Sequence, residues 1–121
     1  MVKELKYPTT EEIVEINKRL GEGGALINKS NLEFILKKAK TKKSIVQKAV
    51  IFLCDIIELH PFLDGNKRTA FHAMLYFLEL NGKLFKYGHE DESKIEKMLN
   101  RIARRIETRQ KVEKWIEKGL K

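Results

Sequence analysis

The sequence predicts an all-α fold, a compact bundle of about six helices with a short flap, at most a small β-hairpin, ahead of the core. Three observations carry this. Apolar residues recur at i, i+3, i+4 and i+7 in window after window, Thr-x-x-Glu and Ser-x-x-Glu signatures open the first windows, and two long stretches are apolar almost all round. The 121 residues suffice for one domain spanning 1–121, with no repeat or linker to divide it.

The first element starts at a capping box, Thr9-x-x-Glu12, just after Pro8. Ile13, Ile16 and Leu20 then line one face, and Gly21 ends it. Gly21-Glu22-Gly23-Gly24 reads as a flexible stretch, and Ala25–Asn28 as a short extended segment. Ser30-x-x-Glu33 is a second capping-box pattern, followed by Leu32, Ile35, Leu36 and Ala39 at helical spacing. From Ser44 to Leu59 apolar residues surround most of a helix circumference, which marks a buried helix. Ala70 to Leu80 repeats that feature, and Asn81-Gly82 stops it. Ile95, Met98, Leu99, Ile102, Ala103 and Ile106 form a fifth stripe; Val112, Trp115, Ile116 and Leu120 form a sixth.

Composition bounds the function. Hydrophobic types at 42% and charged types at 35% fit a globular domain and exclude disorder. A chain of this length buries roughly two-thirds of its unfolded surface, so it needs no covalent staples. The single cysteine, Cys54, excludes an internal disulfide and a cysteine-based zinc cluster, and reads as core filling. No apolar h-region opens the chain, and no apolar run approaches the ~20 residues of a membrane span. The expectation is a cytoplasmic protein without membrane contact. The net charge of +8 suits an acidic or phosphate-bearing partner but selects none.

The loop between the two buried helices, His60-Pro61-Phe62-Leu63-Asp64-Gly65-Asn66-Lys67-Arg68, is where chemistry gathers. Pro61 disfavours helix at His60, so the first buried helix stops there. Phe62, apolar in a polar loop, is expected to plug into the core. Gly65 permits a tight bend and Asn66 is a favoured N-cap for the next helix. The N-terminus of that helix is a ready anion site, and Arg68 in its first turn makes bidentate contacts to phosphate. Asp64 offers the hard oxygen that Mg²⁺ prefers. Imidazole is the side chain that titrates near neutral pH, so His60 is a candidate base. Base, metal ligand and phosphate cradle within nine residues point to phosphoryl or nucleotidyl transfer onto a hydroxyl.

At this loop the sequence resembles the Fic/Doc family, whose motif reads His-x-Phe-x-Asp/Glu-Gly/Ala-Asn-Gly/Lys-Arg. His60 through Arg68 matches throughout, and a looser resemblance runs from about Pro8 to Gly82. Within the family it is more similar to Doc. AMP-transferring Fic enzymes read Gly-Asn-Gly-Arg-x-x-Arg, whereas Lys67 replaces the second glycine here and Phe71 the second arginine. A lysine side chain fills space that a glycine leaves for phosphate to approach the backbone. The resemblance implies a Doc-like toxin kinase that passes the γ-phosphate of ATP, with Mg²⁺, to a hydroxyl of a protein substrate such as a translation elongation factor. AMP transfer is the nearest alternative; a basic helical nucleic-acid binder trails.

Carried over by resemblance, His60 is the general base, Asp64 organises Mg²⁺, and Gly65, Asn66, Lys67 and Arg68 hold the phosphates. His72, an asparagine in Doc, lies a turn beyond Arg68, where it faces the nucleotide or simply sits half-buried. Leu26, Ile27 and Asn28 fall where the family's flap docks a target segment as an added strand. The family's inhibitory Ser/Thr-x-x-x-Glu-Gly/Asn pattern is absent, so restraint is expected from a separate antitoxin chain. Lys37, Lys38, Lys40, Lys42, Lys43 and Lys48, with the +6 balance of residues 94–121, read as solvated helix faces or a docking surface for an acidic antitoxin segment.

Overall fold

Two helices carry most of the buried apolar surface, and the rest of the chain is laid over them. The computed structural model describes residues 4–120. Its elements are α1 (Thr10–Arg19), α2 (Lys29–Thr41), α3 (Ile45–Leu59), α4 (Asn66–Leu80), a 3₁₀ turn at His89–Asp91, α5 (Glu92–Ala103) and α6 (Arg109–Gly119). The expected all-α architecture is what forms. Among the described residues β pairing is limited to two isolated antiparallel bridges, Leu26 with Phe62 and Phe85 with Leu120. No described helix is long and apolar enough to cross a membrane.

α3 opens with a capping box, in which the Ser44 hydroxyl accepts from Gln47 N–H and the Gln47 side chain accepts from Ser44 N–H. Every residue from Lys48 to Ile57 is buried. α3 packs against α4, α2, α6 and α5, and α1 lies on α4. Phe52 of α3 meets Phe77 of α4 at 5.0 Å between ring centroids, and Tyr7 stacks with Phe77 at 5.7 Å. Cys54 is buried here, and burial pushes its thiol up to about 12. It is inert core filling, as expected.

Three sequence expectations are corrected. The second capping box does not form: Asn28 is the N-cap of α2 and accepts from Asn31 N–H, so Ser30 already lies inside the helix. Asn and Ser cap about equally well, so the path of the chain into α2, held by the bonds of Ile27 and Asn28 N–H to Pro61 C=O, decides for Asn28. The fifth apolar stripe is one turn too long, because α5 ends at Ala103 and Ile106 is exposed. Lys48 is buried rather than solvated; its ammonium donates to the carbonyls of Ala39, Lys40 and Lys42 and so caps the C-terminus of α2. Lys38 also leaves the solvated run, since it lies 2.9 Å from the buried carboxylate of Asp55. Asp55 Oδ2 has no aligned hydrogen bond, so Lys38 serves it as a charge, while Arg109 of α6 donates to Oδ1 and reaches Glu58 at 3.2 Å. This ionic knot ties α2, α3 and α6 together.

Candidate active site

Local backbone rules place the loop from His60 to Arg68. α3 ends on His60, which adopts the left-handed conformation at φ 48° and ψ 60°. The helical conformation is closed to it by Pro61. The turn throws the imidazole into solvent at the mouth of the loop. Phe62 then drops into the core with no exposed surface and anchors the loop from below. Gly65 turns the chain at φ 75°, a conformation costly for any residue with a Cβ, and is itself the N-cap of α4. Asn66, expected as that cap, is instead the first helical residue.

Asn66 has a different task. Its amide oxygen accepts from Phe62 N–H at 3.0 Å and its amide nitrogen donates to Phe62 C=O at 2.9 Å. The side chain closes the loop on itself, so only its backbone N–H faces an anion. The same nitrogen lies 3.4 Å from His60 Nδ1. At that length the contact is a weak hydrogen bond.

At the start of α4 the anion seat is filled from within the chain. The Glu22 carboxylate takes a hydrogen bond from Arg68 Nη1 at 3.1 Å. It also lies over Gly65, where an added Cβ would come within 2.3–2.8 Å of the Glu22 side chain. A carboxylate held between a guanidinium and a helix N-terminus occupies the ground a phosphate oxygen prefers. Lys67 points elsewhere: its ammonium donates to Asn100 Oδ1 of α5 at 2.8 Å. Asp64 keeps its carboxylate exposed. No group of three or more His, Cys, Asp or Glu side chains gathers among the described residues. A metal ion here would rest on Asp64 and on ligand oxygens, a donor set that suits Mg²⁺.

The flap segment lies against this loop. Ile27 N–H and Asn28 N–H donate to Pro61 C=O at 2.9 and 3.1 Å, and Leu63 N–H donates to Ala25 C=O at 2.9 Å. In this register the N–H and C=O of Leu26 point away from Phe62. The expected strand is thus one bridge long, with an outward edge flanked by exposed Ile27 and Leu63.

One residue of this site escaped the sequence reading. Asn17 of α1 is fully buried. Its amide nitrogen donates to Asp64 C=O at 3.0 Å and to Thr69 Oγ1 at 2.9 Å, and its amide oxygen accepts from Gly24 N–H at 2.7 Å. It joins the glycine-rich loop, the His60–Arg68 loop and α4 at one point. His72 is half-buried on α4; burial first, then the Arg68 charge, holds its imidazole below the ordinary histidine range. A cavity of 360 Å³ at the loop, lined by His60, Asp64 and Arg68 among others, meets a larger one of 640 Å³ at Lys67 and Arg68.

A family model described as the Fic/DOC family matches residues 7–78, which include every residue of the loop and α1 to α4 almost entire. Among curated proteins none matches the chain.

Proposed function

The chain belongs to the Fic/DOC family, whose members are generally enzymes that transfer nucleotide or phosphate groups to proteins, and from that premise we propose that it is a Doc-type kinase. The terminal phosphate of ATP takes the seat now held by Glu22. His60 removes the proton from a hydroxyl of a protein substrate, the hydroxyl oxygen bonds to the γ-phosphorus, the bond to the β–γ bridging oxygen breaks, and ADP leaves. Asp64 would hold Mg²⁺, which supplies charge neutralisation for the phosphates. The outward edge at Leu26, with Ile27 and Asn28, takes a segment of the substrate as an added strand. A translation elongation factor as substrate, a separate antitoxin chain and a cytoplasmic setting go with this reading.

The observation that carries phosphoryl over nucleotidyl transfer is Phe71. It stands where AMP-transferring relatives have a second arginine, and it is buried edge-on against Tyr87 at 5.4 Å and Phe85 at 6.0 Å. One guanidinium, Arg68, therefore serves the seat, enough for a single terminal phosphate.

The test is a transfer assay with cell extract and ATP labelled at either the α or the γ position. The expected result is γ label on a protein; α label on a protein would make the enzyme an AMP transferase instead. His60→Ala should lower transfer by about 10²–10⁴-fold. Its circular dichroism and melting curve should match the parent, because the ring is exposed.

A further inference from the structure

α5 lies beyond residues 7–78, the part of the chain that the family shares. Its side chains divide by charge around the helix. At about 100° per residue, Lys94, Lys97, Arg101 and Arg104 fall within one arc of about 80°, away from the buried stripe of Ile95, Leu99 and Ile102. The acids of the helix, Glu92 and Glu96, fall outside that arc, beside the cavity between α4 and α5. All four cations are exposed. Lys94, Lys97 and Arg104 make no ion pair among the described residues. Arg101 is held through Nε by the Glu107 carboxylate at 2.7 Å, which fixes the guanidinium and leaves its two terminal nitrogens without a hydrogen bond among the described residues.

This arrangement works against the free chain. Like charges three and four residues apart on a helix repel. Lys94 stands in the first turn, where the helix dipole disfavours a cation. Past the stripe, Arg105 takes the left-handed conformation at φ 57°. It does so in a Schellman end, where Arg105 N–H donates to Ile102 C=O and Ile106 N–H to Arg101 C=O. Glycine is the residue that fits this position without strain, yet the chain puts another arginine there. A polyanion laid along the stripe offsets the repulsion.

We propose that the outer face of α5 binds double-stranded RNA by its phosphate backbone. The arc is wholly charged, whereas a protein interface is built round an apolar core and a single-stranded site round aromatic rings. Along the helix axis the four cations are spaced by about 4.5, 6 and 4.5 Å. Such short steps suit A-form RNA, whose C3′-endo sugars bring the phosphates of a strand closer together than in B-form DNA. Duplex RNA is recognised mostly by shape and by contacts to its phosphates and 2′-hydroxyls. The inference does not rest on the reaction proposed for the loop.

The experiment is fluorescence anisotropy of the full chain with a labelled RNA duplex of mixed sequence, over a series of salt concentrations. The duplex should bind with a Kd of about 1–100 µM near physiological salt, and log K should fall against log salt with a slope of about −3 to −4, as four phosphate contacts give. The triple variant Lys94→Gln, Lys97→Gln, Arg104→Gln should bring the slope to about −1 and weaken binding by more than about tenfold. The control triple, Lys111→Gln, Lys114→Gln, Lys118→Gln on α6, removes the same charge from lysines interleaved with Glu113 and Glu117, and should change affinity by no more than about twofold. All of these side chains are exposed, so both variants should melt like the parent. Equal losses in the two variants would reduce the binding to net charge and overturn the inference, as would an RNA duplex that fails to bind the parent. A DNA duplex of the same sequence should bind more weakly; equal or tighter binding would overturn the assignment to RNA. Polyglutamate that displaces the duplex at equal charge concentration would make the partner an acidic protein instead.

Discussion

The loop from Pro61 to Gly65 and the loop from Gly21 to Asn28 lie against each other, yet they are built in opposite ways. The first is anchored by its own residues: Phe62 is buried beneath it and Asn66 clasps both polar groups of the Phe62 backbone. The second has three glycines at positive φ and buries no side chain; it is held by the carbonyls of its neighbour and by Asn17. The difference separates two duties. On the proposed reading, a loop that keeps a base and an anion seat in fixed relation is over-determined by its own packing. On the same reading, a loop that makes way for a substrate is held by a few bonds that can be exchanged, and its Glu22, paired with Arg68, would yield the seat to a phosphate.

Phe62→Ala should break the comparison most, by making the first loop resemble the second. Removing a fully buried phenyl ring costs about 3–5 kcal/mol, a large share of a small domain's stability. The denaturant midpoint should fall accordingly. The next residue is the internal control: Leu63 is 61% exposed, so Leu63→Ala should shift stability by no more than about 0.5 kcal/mol.

Asn17→Ala ranks second. It strips partners from Asp64 C=O, the buried Thr69 hydroxyl and Gly24 N–H at once, at a cost of about 2–3 kcal/mol. Asn17→Asp sharpens the result. It keeps an acceptor for Gly24 but turns a carboxylate oxygen toward the Asp64 carbonyl, so the rigid loop should loosen while the glycine loop stays. Amide exchange at Leu63 and at Ile27, whose N–H groups bond across the two loops, reads the two effects separately.

Glu22→Ala acts on binding more than on folding. It frees Arg68 and the α4 N-terminus of their internal anion, and affinity for tripolyphosphate should rise about fivefold, in line with a partly exposed ion pair near a helix dipole. An unchanged affinity would mean that the seat lies elsewhere.

What the sequence made legible follows from the range of the forces involved. The loop chemistry was readable because proline, glycine and one apolar residue act on their immediate neighbours, and the capping box of Thr9 formed for the same reason. Ser30 misled because a rival cap stood two residues away, and only the path of the flap decides between them. Asn17 looked like an ordinary polar residue on an amphipathic helix; its partners lie 47 and 52 positions along the chain. Glu22 read as loop filler for the same reason, since Arg68 is 46 positions away. The larger cavity was invisible because it needs α4 and α5 side by side, with Lys67 and Asn100 meeting across 33 positions.

The smallest effect comes from His72, which sits one turn past Arg68 and titrates under its influence. Burial and the guanidinium both disfavour the imidazolium, with Glu79 opposing them weakly. The folded chain thus binds this proton less readily than the unfolded chain. The stability that follows is intact above the ordinary histidine range and is lost as pH falls through the lowered value. A phosphate at Arg68 removes part of the opposing charge, so binding should raise the His72 pKa and draw in a fraction of a proton. Affinity for tripolyphosphate should therefore increase, by less than about threefold, between about pH 7.5 and about pH 6. Calorimetry in two buffers of different ionisation heat measures the uptake. Subtracting the curve of His72→Gln isolates the share that belongs to His72. If the variant takes up as many protons as the parent, His72 lies outside the field of the bound anion.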